Sequence, residues 1–167
     1  MQFAISILII AVTALVVYAI ARGGPRRAAP VLPAAKPYQP VPPAEAPACH
    51  WSDAGRFQVE VVIESKFQPV LKELAGEHGE SPAMTRYQAT LVPDDDNPYE
   101  YKAVTVFIAG RLVGQLSPKA ALKFRSLLAL KEIADKPTTC NAMIRGGHYW
   151  QGKQLSYFVL LEIEPLE

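Results

Sequence analysis

Apolar and polar residues alternate over several short stretches of the chain. Residues 57–63, 84–92, 138–145 and 154–164 show this pattern, which predicts half-buried strands because successive side chains of a strand point to opposite faces. Two further alternations meet at Ala109-Gly110, where glycine can supply the positive φ of a hairpin turn. Together these stretches predict about six strands.

Two helices are predicted among the strands. Val70, Leu71 and Leu74 share one helical face before Gly76, where a short helix would stop. The second helix is predicted over residues 117–132, with Ser117 as its N-cap. Its apolar stripe would comprise Ala121, Leu122, Leu128 and either Phe124 or Leu127. Strands and helices together predict a small barrel-like α+β domain, in which closure of the sheet protects the edge strands.

The chain begins with a long apolar stretch. The 18 residues Phe3–Ile20 carry no charge, and roughly 17–25 such residues cross a bilayer as a helix. We therefore predict a transmembrane helix over residues 3–21. Basic residues follow it and none precedes it, so the positive-inside rule predicts a cytoplasmic-membrane protein with its C-terminal domain in the cytoplasm. The alternative is a signal peptide cleaved near Ala21, after Ala19-Ile20-Ala21, which would give a secreted protein.

Residues 22–48 are rich in proline and alanine and poor in large apolar residues. Such a segment favours extended conformations and is typical of a semi-rigid linker. A ligand for a proline-binding module is the other interpretation of this composition. The folded domain is therefore predicted to span residues 49–167.

Charge and composition narrow the function of this domain. From Cys49 onward there are 13 basic and 15 acidic residues, a net charge of about −2 with neutral histidines. This is not the basic surface typical of a nucleic-acid-binding domain, so a polyanion would need a local patch. The two cysteines lack the spacing of a zinc site, and no glycine-rich phosphate loop is present. We expect no metal, no cofactor and no enzymatic activity.

Part of the domain resembles a known family. Over residues 91–128 a corner, a strand, a glycine hairpin and a helix follow in the order Asn97-Pro98-Tyr99-Glu100, Ala103-Val104-x-Val106, Gly110-Arg111-x-Val113-Gly114-x-Leu116 and an Ala/Leu-rich helix. This succession resembles the HIRAN domain, which occurs in helicase-like transcription factor and in bacterial proteins without a helicase. Residues 57–67 could supply the first strand of that family.

The resemblance implies an OB-like β-barrel and, by analogy with the eukaryotic helicase relative, binding of the 3′ end of single-stranded DNA. Tyr99 would be the aromatic residue of the binding corner, and Glu100 would replace the usual aspartate that accepts a hydrogen bond from the terminal hydroxyl. Lys66 and Phe67 fall where stacking aromatics are usual. Gln115 stands where an aromatic residue or histidine is common.

Two further positions depart from the family pattern. Lys102 stands where asparagine is usual, and Ser65 replaces an arginine of the DNA-binding relative. Losing a stacking ring removes roughly 1–3 kcal/mol per base, and losing an arginine removes a phosphate contact.

The corner Asp94–Glu100 allows two interpretations. In the structural one, Asn97 and Pro98 form a turn and Tyr99 packs across the entrance of the barrel. In the functional one, Tyr99 and Glu100 line a pocket for a nucleic-acid end or another hydroxylated ligand. The neighbouring aspartates would repel a polyanion within a Debye length of about 8–10 Å.

A second candidate surface follows the strand 138–145. His148, Tyr149 and Trp150, with Arg145 and Lys153, have the mixture of aromatic and basic residues that binds single strands. Alternatively, Tyr149 and Trp150 plug one end of the barrel. The sequence thus predicts a membrane-anchored binding module with two possible partners, single-stranded DNA or another protein.

Overall fold

A computed structural model describes residues 38–166, together with Leu15 and Tyr18. Leu15 and Tyr18 are helical and exposed, and they belong to a separate unit, residues 1–37. The predicted transmembrane helix and residues 22–37 of the predicted linker otherwise lie outside the described residues. Within the described part of the chain, no helix is long and apolar enough to span a membrane.

The second unit begins at Tyr38 and contains nine strands and two α-helices among its described residues. A single 3₁₀ turn, Ser65–Phe67, directly precedes the first helix. In chain order the elements are β1 (His50–Trp51), β2 (Val59–Glu60), α1 (Gln68–Ala75), β3 (Ala83–Asp94), β4 (Ala103–Ile108), β5 (Arg111–Gln115), α2 (Pro118–Leu130), β6 (Thr138–Gly146), β7 (Tyr149–Trp150), β8 (Lys153–Gln154) and β9 (Tyr157–Leu161).

Six strands form a curled antiparallel sheet in the order β2-β9-β6-β3-β4-β5, and β1 adds a short parallel pairing to β6. This confirms the predicted α+β class with about six strands and two helices. β3 is the longest strand and pairs with β4 on one side and β6 on the other. The predicted hairpin is also confirmed, because Ala109 and Gly110 have φ of 50° and 71° between β4 and β5.

The two edges of the curled sheet meet beyond β2. Val62 donates its amide to the carbonyl of Gln115 at 2.8 Å, and the amide of Gln115 returns a bond to Val62 at 3.1 Å. The preceding residue, Val61, bonds instead to Val159 of β9 at 3.0 Å. Two adjacent residues that follow the edge strand β2 therefore bond to β9 and to the other edge strand, β5.

Both helices cover the core. α2 begins at its predicted N-cap, where the Ser117 hydroxyl accepts from the amide of Ala120. Its buried residues are Ala120, Ala121, Phe124 and Leu128, whereas Leu122 is 48% exposed, so its predicted place in the apolar stripe is wrong. Leu122 lies about 100° further round the helix than Ala121, on the solvent side. α1 buries Leu71 and Ala75.

Two predicted elements differ in the structure. The strand predicted over residues 57–63 is reduced to the two residues of β2 and the bridge at Val62. The residues between the predicted strands 138–145 and 154–164 contain a second small sheet, in which Tyr149 pairs with Gln154 and Trp150 with Lys153. We call β7 and β8 together the aromatic hairpin.

Candidate ligand-binding site

The corner between β3 and β4 is held by one side chain. Asn97 Oδ1 accepts hydrogen bonds from the amides of Tyr99 at 2.9 Å and Glu100 at 3.2 Å. This is the local bonding by which asparagine favours turns, and Pro98 stiffens the same turn. The corner therefore fixes the backbone from which Tyr99 and Glu100 project.

The ring of Tyr99 points into solvent. Its side chain is 80% exposed, and that of Tyr101 is equally exposed. The turn at Asn97 and Pro98 that the structural interpretation predicts is confirmed, whereas its packing of Tyr99 across the entrance of the barrel is wrong. An exposed ring on a rigid turn is available for stacking against a ligand.

Glu100 lies beside Gln115 of β5. Gln115 Nε2 donates to Glu100 Oε2, while Glu100 Oε1 is buried without a hydrogen-bond partner. Burial raises the pKa of the Glu100 carboxyl because a low-polarity environment disfavours its charged form. An unsatisfied buried oxygen is uncommon in folded proteins, and the corner holds two of them, Glu100 Oε1 and Asp94 Oδ2.

The acidic character of the corner is weaker than its sequence indicates. Asp95 binds Lys102 Nζ at 3.0 Å and also binds the guanidinium of Arg125. The Arg125 guanidinium has the larger effect and Lys102 the smaller, and both hold the pKa of the Asp95 carboxyl below its ordinary value. Asp94 is buried and accepts a hydrogen bond from the Tyr38 hydroxyl. Of the three aspartates at positions 94–96, Asp96 alone has no ion pair or hydrogen bond within the described residues.

Lys66 and Phe67 lie in the 3₁₀ turn, which packs against β5, the strand that carries Gln115. Lys66 Nζ pairs with Glu64 at 2.9 Å and lies 4.9 Å from the centre of the Phe67 ring. The turn thus brings a cation and an aromatic ring to the strand that borders the corner.

The other predicted residues lie at the opposite end of β3. Gly146, next to Arg145, pairs with Ala83 at the start of β3, whereas Asp94 at its end leads into the corner. A strand of 12 residues spans on the order of 35–40 Å when fully extended. Tyr149 and Trp150 are 57% and 63% exposed, so they do not plug the barrel and form a separate surface.

Some residues of the site could not be identified from the sequence. Arg125 lies outside the predicted apolar stripe of α2, yet its side chain is only 9% exposed and binds Asp95. Tyr38 lay within the predicted linker, yet it bonds to Asp94. Both contacts join residues distant in the chain, and no local pattern signals them.

Compared with known proteins, the chain matches no family model, no curated protein and no solved structure. Its function is therefore inferred from the residues of the corner and their surroundings.

Proposed function

We propose that this chain is a membrane-anchored binding module whose OB-like, HIRAN-related barrel holds the hydroxyl end of single-stranded DNA at the cytoplasmic face of the membrane. The anchor is the apolar stretch of residues 3–21, and residues 22–37 link it to the domain. The module carries out no reaction of its own.

The observation that carries the proposal is the unpartnered Oε1 of Glu100 beside the exposed ring of Tyr99. A terminal hydroxyl donates a hydrogen bond to a carboxylate oxygen, and the terminal base stacks on a tyrosine ring. Asn97 holds both residues through their backbone amides, and Gln115 orients the carboxylate. The site is thus preorganised for an end that carries a hydroxyl and no phosphate.

The local charge suits such an end. Asp95 is neutralised by Lys102 and Arg125, which leaves Asp96 and Glu100 as the carboxylates that a terminal phosphate would meet. A phosphate at that position is repelled at short range. A hydroxyl is not.

A binding assay tests the proposal on the full chain in detergent micelles. Fluorescence anisotropy would compare short single strands with a 3′ hydroxyl and with a 3′ phosphate, at low and moderate salt. We expect the hydroxyl end to bind at least tenfold more tightly, and Tyr99→Ala to remove one stacking contact, a loss of roughly 5–150-fold. Equal affinity for the two ends would overturn the proposal.

A second candidate function is recognition of a protein at the membrane. Tyr99 and Tyr101 are both 80% exposed, and tyrosine is enriched in protein interfaces. Absence of any DNA binding at low salt, together with a discrete partner captured by the wild-type chain and lost with Tyr99→Ala and Tyr101→Ala, would favour this function. Such capture should depend little on salt, unlike the binding of a strand.

A further inference from the structure

A continuous trough begins next to the corner. Two open cavities of about 720 and 410 Å³ share four lining residues, so they form one depression rather than two. The shared residues are Ser65, Gln68, Ser156 and Tyr157. We call this depression the trough.

The corner end of the trough is set by the closure of the sheet. Val62 and Ser117 line it, and both adjoin Gln115, because Val62 forms the closing bridge with Gln115 and Ser117 follows two residues later. Gln115 in turn binds Glu100. Neither Glu100 nor Gln115 lines the trough, but the closing bridge pairs Gln115 with Val62, a residue of its near end.

The far end of the trough reaches the aromatic hairpin. Gln154 and Leu155 line that end, and Gln154 is paired with Tyr149 across the hairpin. The hairpin's Tyr149 and Trp150 present exposed rings. The trough therefore runs from residues that neighbour Gln115 to residues of, or next to, the aromatic hairpin.

The wall of the trough between its two ends is rigid. Gln68 donates to the carbonyl of Tyr157 at 3.0 Å and accepts from its amide at 2.8 Å. His78 Nε2 lies 2.9 Å from the Tyr157 hydroxyl. Gly147 has no room for a side chain because a Cβ there would overlap the Tyr157 ring. A track held in this way is preformed for an extended ligand.

Charge changes sign along the trough. The corner carries the aspartates and Glu100, and Glu60 lines the adjoining half. Lys72 lines the far half, and Lys153 and Arg145 belong to or flank the hairpin. None of these three cations has an ion pair within residues 38–166. A strand whose uncharged hydroxyl end lies in the corner would bring its internal phosphates toward the basic end.

We infer that single-stranded DNA held by its hydroxyl end at Glu100 continues along the trough and stacks its later bases on Tyr149 and Trp150 of the aromatic hairpin. This inference rests on the proposed function and adds the path and polarity of the strand. OB folds bind roughly 4–16 nucleotides, so the site takes several nucleotides rather than the terminal one alone.

The test compares a dinucleotide with a strand of about ten nucleotides, each with a free 3′ hydroxyl, on the full chain in detergent micelles. We expect the longer strand to bind at least tenfold more tightly and with a steeper salt dependence, because it adds stacked bases and phosphate contacts. Trp150→Ala should weaken the affinity for the longer strand roughly fivefold or more and leave the affinity for the dinucleotide unchanged. Lys72→Gln should flatten the salt dependence for the longer strand only.

Matched controls are Leu130→Ala, which truncates a side chain that is 81% exposed, and Lys123→Gln, which removes an exposed cation of α2. Neither lines the trough, so neither should change either affinity. Equal affinity for the two strands, or a gain unaffected by Trp150→Ala, would overturn the trough and leave the corner intact. No binding of either strand would overturn both proposals.

Discussion

Glu100 is the residue on which the proposed chemistry depends. One carboxylate oxygen is bonded to Gln115 and the other is buried without a partner. Leaving a buried acceptor unpaired costs roughly 1–3 kcal/mol, so a group kept for stability alone would be expected to have a partner. In the proposed complex, the ligand's hydroxyl supplies the missing bond.

Glu100→Gln should therefore not destabilise the free protein at neutral pH. Burial raises the folded-state pKa of Glu100, so the fold favours the protonated form. That contribution is fully present below the unfolded-state pKa and is lost as pH rises through the folded-state pKa. A neutral glutamine avoids this loss, and we expect a Tm equal to or above that of the wild type by circular dichroism. A Tm several degrees lower would show instead that the carboxylate stabilises the corner.

At the scale of elements, Gly114 allows the sheet edges to meet. A Cβ at this position would overlap the carbonyl oxygen of Val62 and lie 2.7 Å from Val61 Cγ1. The missing side chain lets the backbone of Val61 and Val62 lie directly against β5. Gln115, the next residue, owes its position to this close approach.

Gly114→Ala should lower the free energy of unfolding by about 1–3 kcal/mol, because the added methyl group forces the closing bridge apart. Urea denaturation measures this loss. The variant should also bind the hydroxyl end more weakly, since Gln115 shifts relative to Glu100. Gly110→Ala is the control: its Cβ would meet nothing and its φ is +71°, so it should lose about 1–2 kcal/mol from backbone strain and keep its ligand affinity. Wild-type stability of Gly114→Ala would contradict this role.

Local signals predicted the elements that form from local contacts. Ser117 and Pro118 marked the start of α2, and Ala109-Gly110 marked the hairpin turn. Elements that depend on distant partners were missed or misjudged. β2 is short because the two residues after Glu60 bond to different strands, Val61 to β9 and Val62 to β5. β1 exists only through its parallel pairing with β6. No periodicity within a segment encodes such pairings.

The residues of the site divide in the same way, into those grouped by a local motif and those brought together by distant pairing. Asn97, Tyr99 and Glu100 are adjacent in the chain, so a turn motif sufficed to group them. Their contact with Gln115 follows from the pairing of β4 with β5. The distance between the aromatic hairpin and the corner depends on the length of β3 and on the end of β3 at which each of them lies. The composition of the two loops encodes neither quantity.

At the scale of the whole molecule, the last residues of the predicted linker lie on the domain. Within residues 38–48, which we call the strap, Tyr38 bonds to Asp94, Lys136 Nζ pairs with Glu45 at 2.9 Å, and the amide of Ala48 bonds to Pro137 at 2.8 Å. Residues 38–48 of the predicted linker therefore belong to the folded unit that begins at Tyr38. The strap begins at the corner, because its first residue, Tyr38, bonds to Asp94.

Tyr38→Phe should loosen the strap. Burial, followed by the hydrogen bond to Asp94, raises the pKa of Tyr38 to about 12. The fold thus favours the neutral phenol, and its contribution to stability is full below the unfolded-state pKa of about 10 and is lost as pH rises through about 12. We expect Tyr38→Phe to cost about 1 kcal/mol at neutral pH and to speed proteolysis within residues 38–48.

The control for the strap is Tyr101→Phe, which alters a tyrosine that is 80% exposed and should leave both stability and proteolysis unchanged. Spectrophotometric titration gives a second readout, since the wild-type curve minus that of Tyr38→Phe isolates one phenol. Ionisation of that phenol near pH 10, the value of a free tyrosine, would show that the strap is not held in solution.

The most direct test of the central claim, that Glu100 accepts a hydrogen bond from a strand's terminal hydroxyl, is a double-mutant cycle. It would measure the affinities of wild type and Glu100→Ala for single strands ending in a 3′ hydroxyl or in a dideoxynucleotide, which lacks only that hydroxyl. A hydrogen bond to a charged group contributes about 1.5–3 kcal/mol, so we expect the wild type to lose about tenfold or more on the dideoxy end and Glu100→Ala to lose nothing. An equal loss in both proteins, or none in either, would contradict the claim.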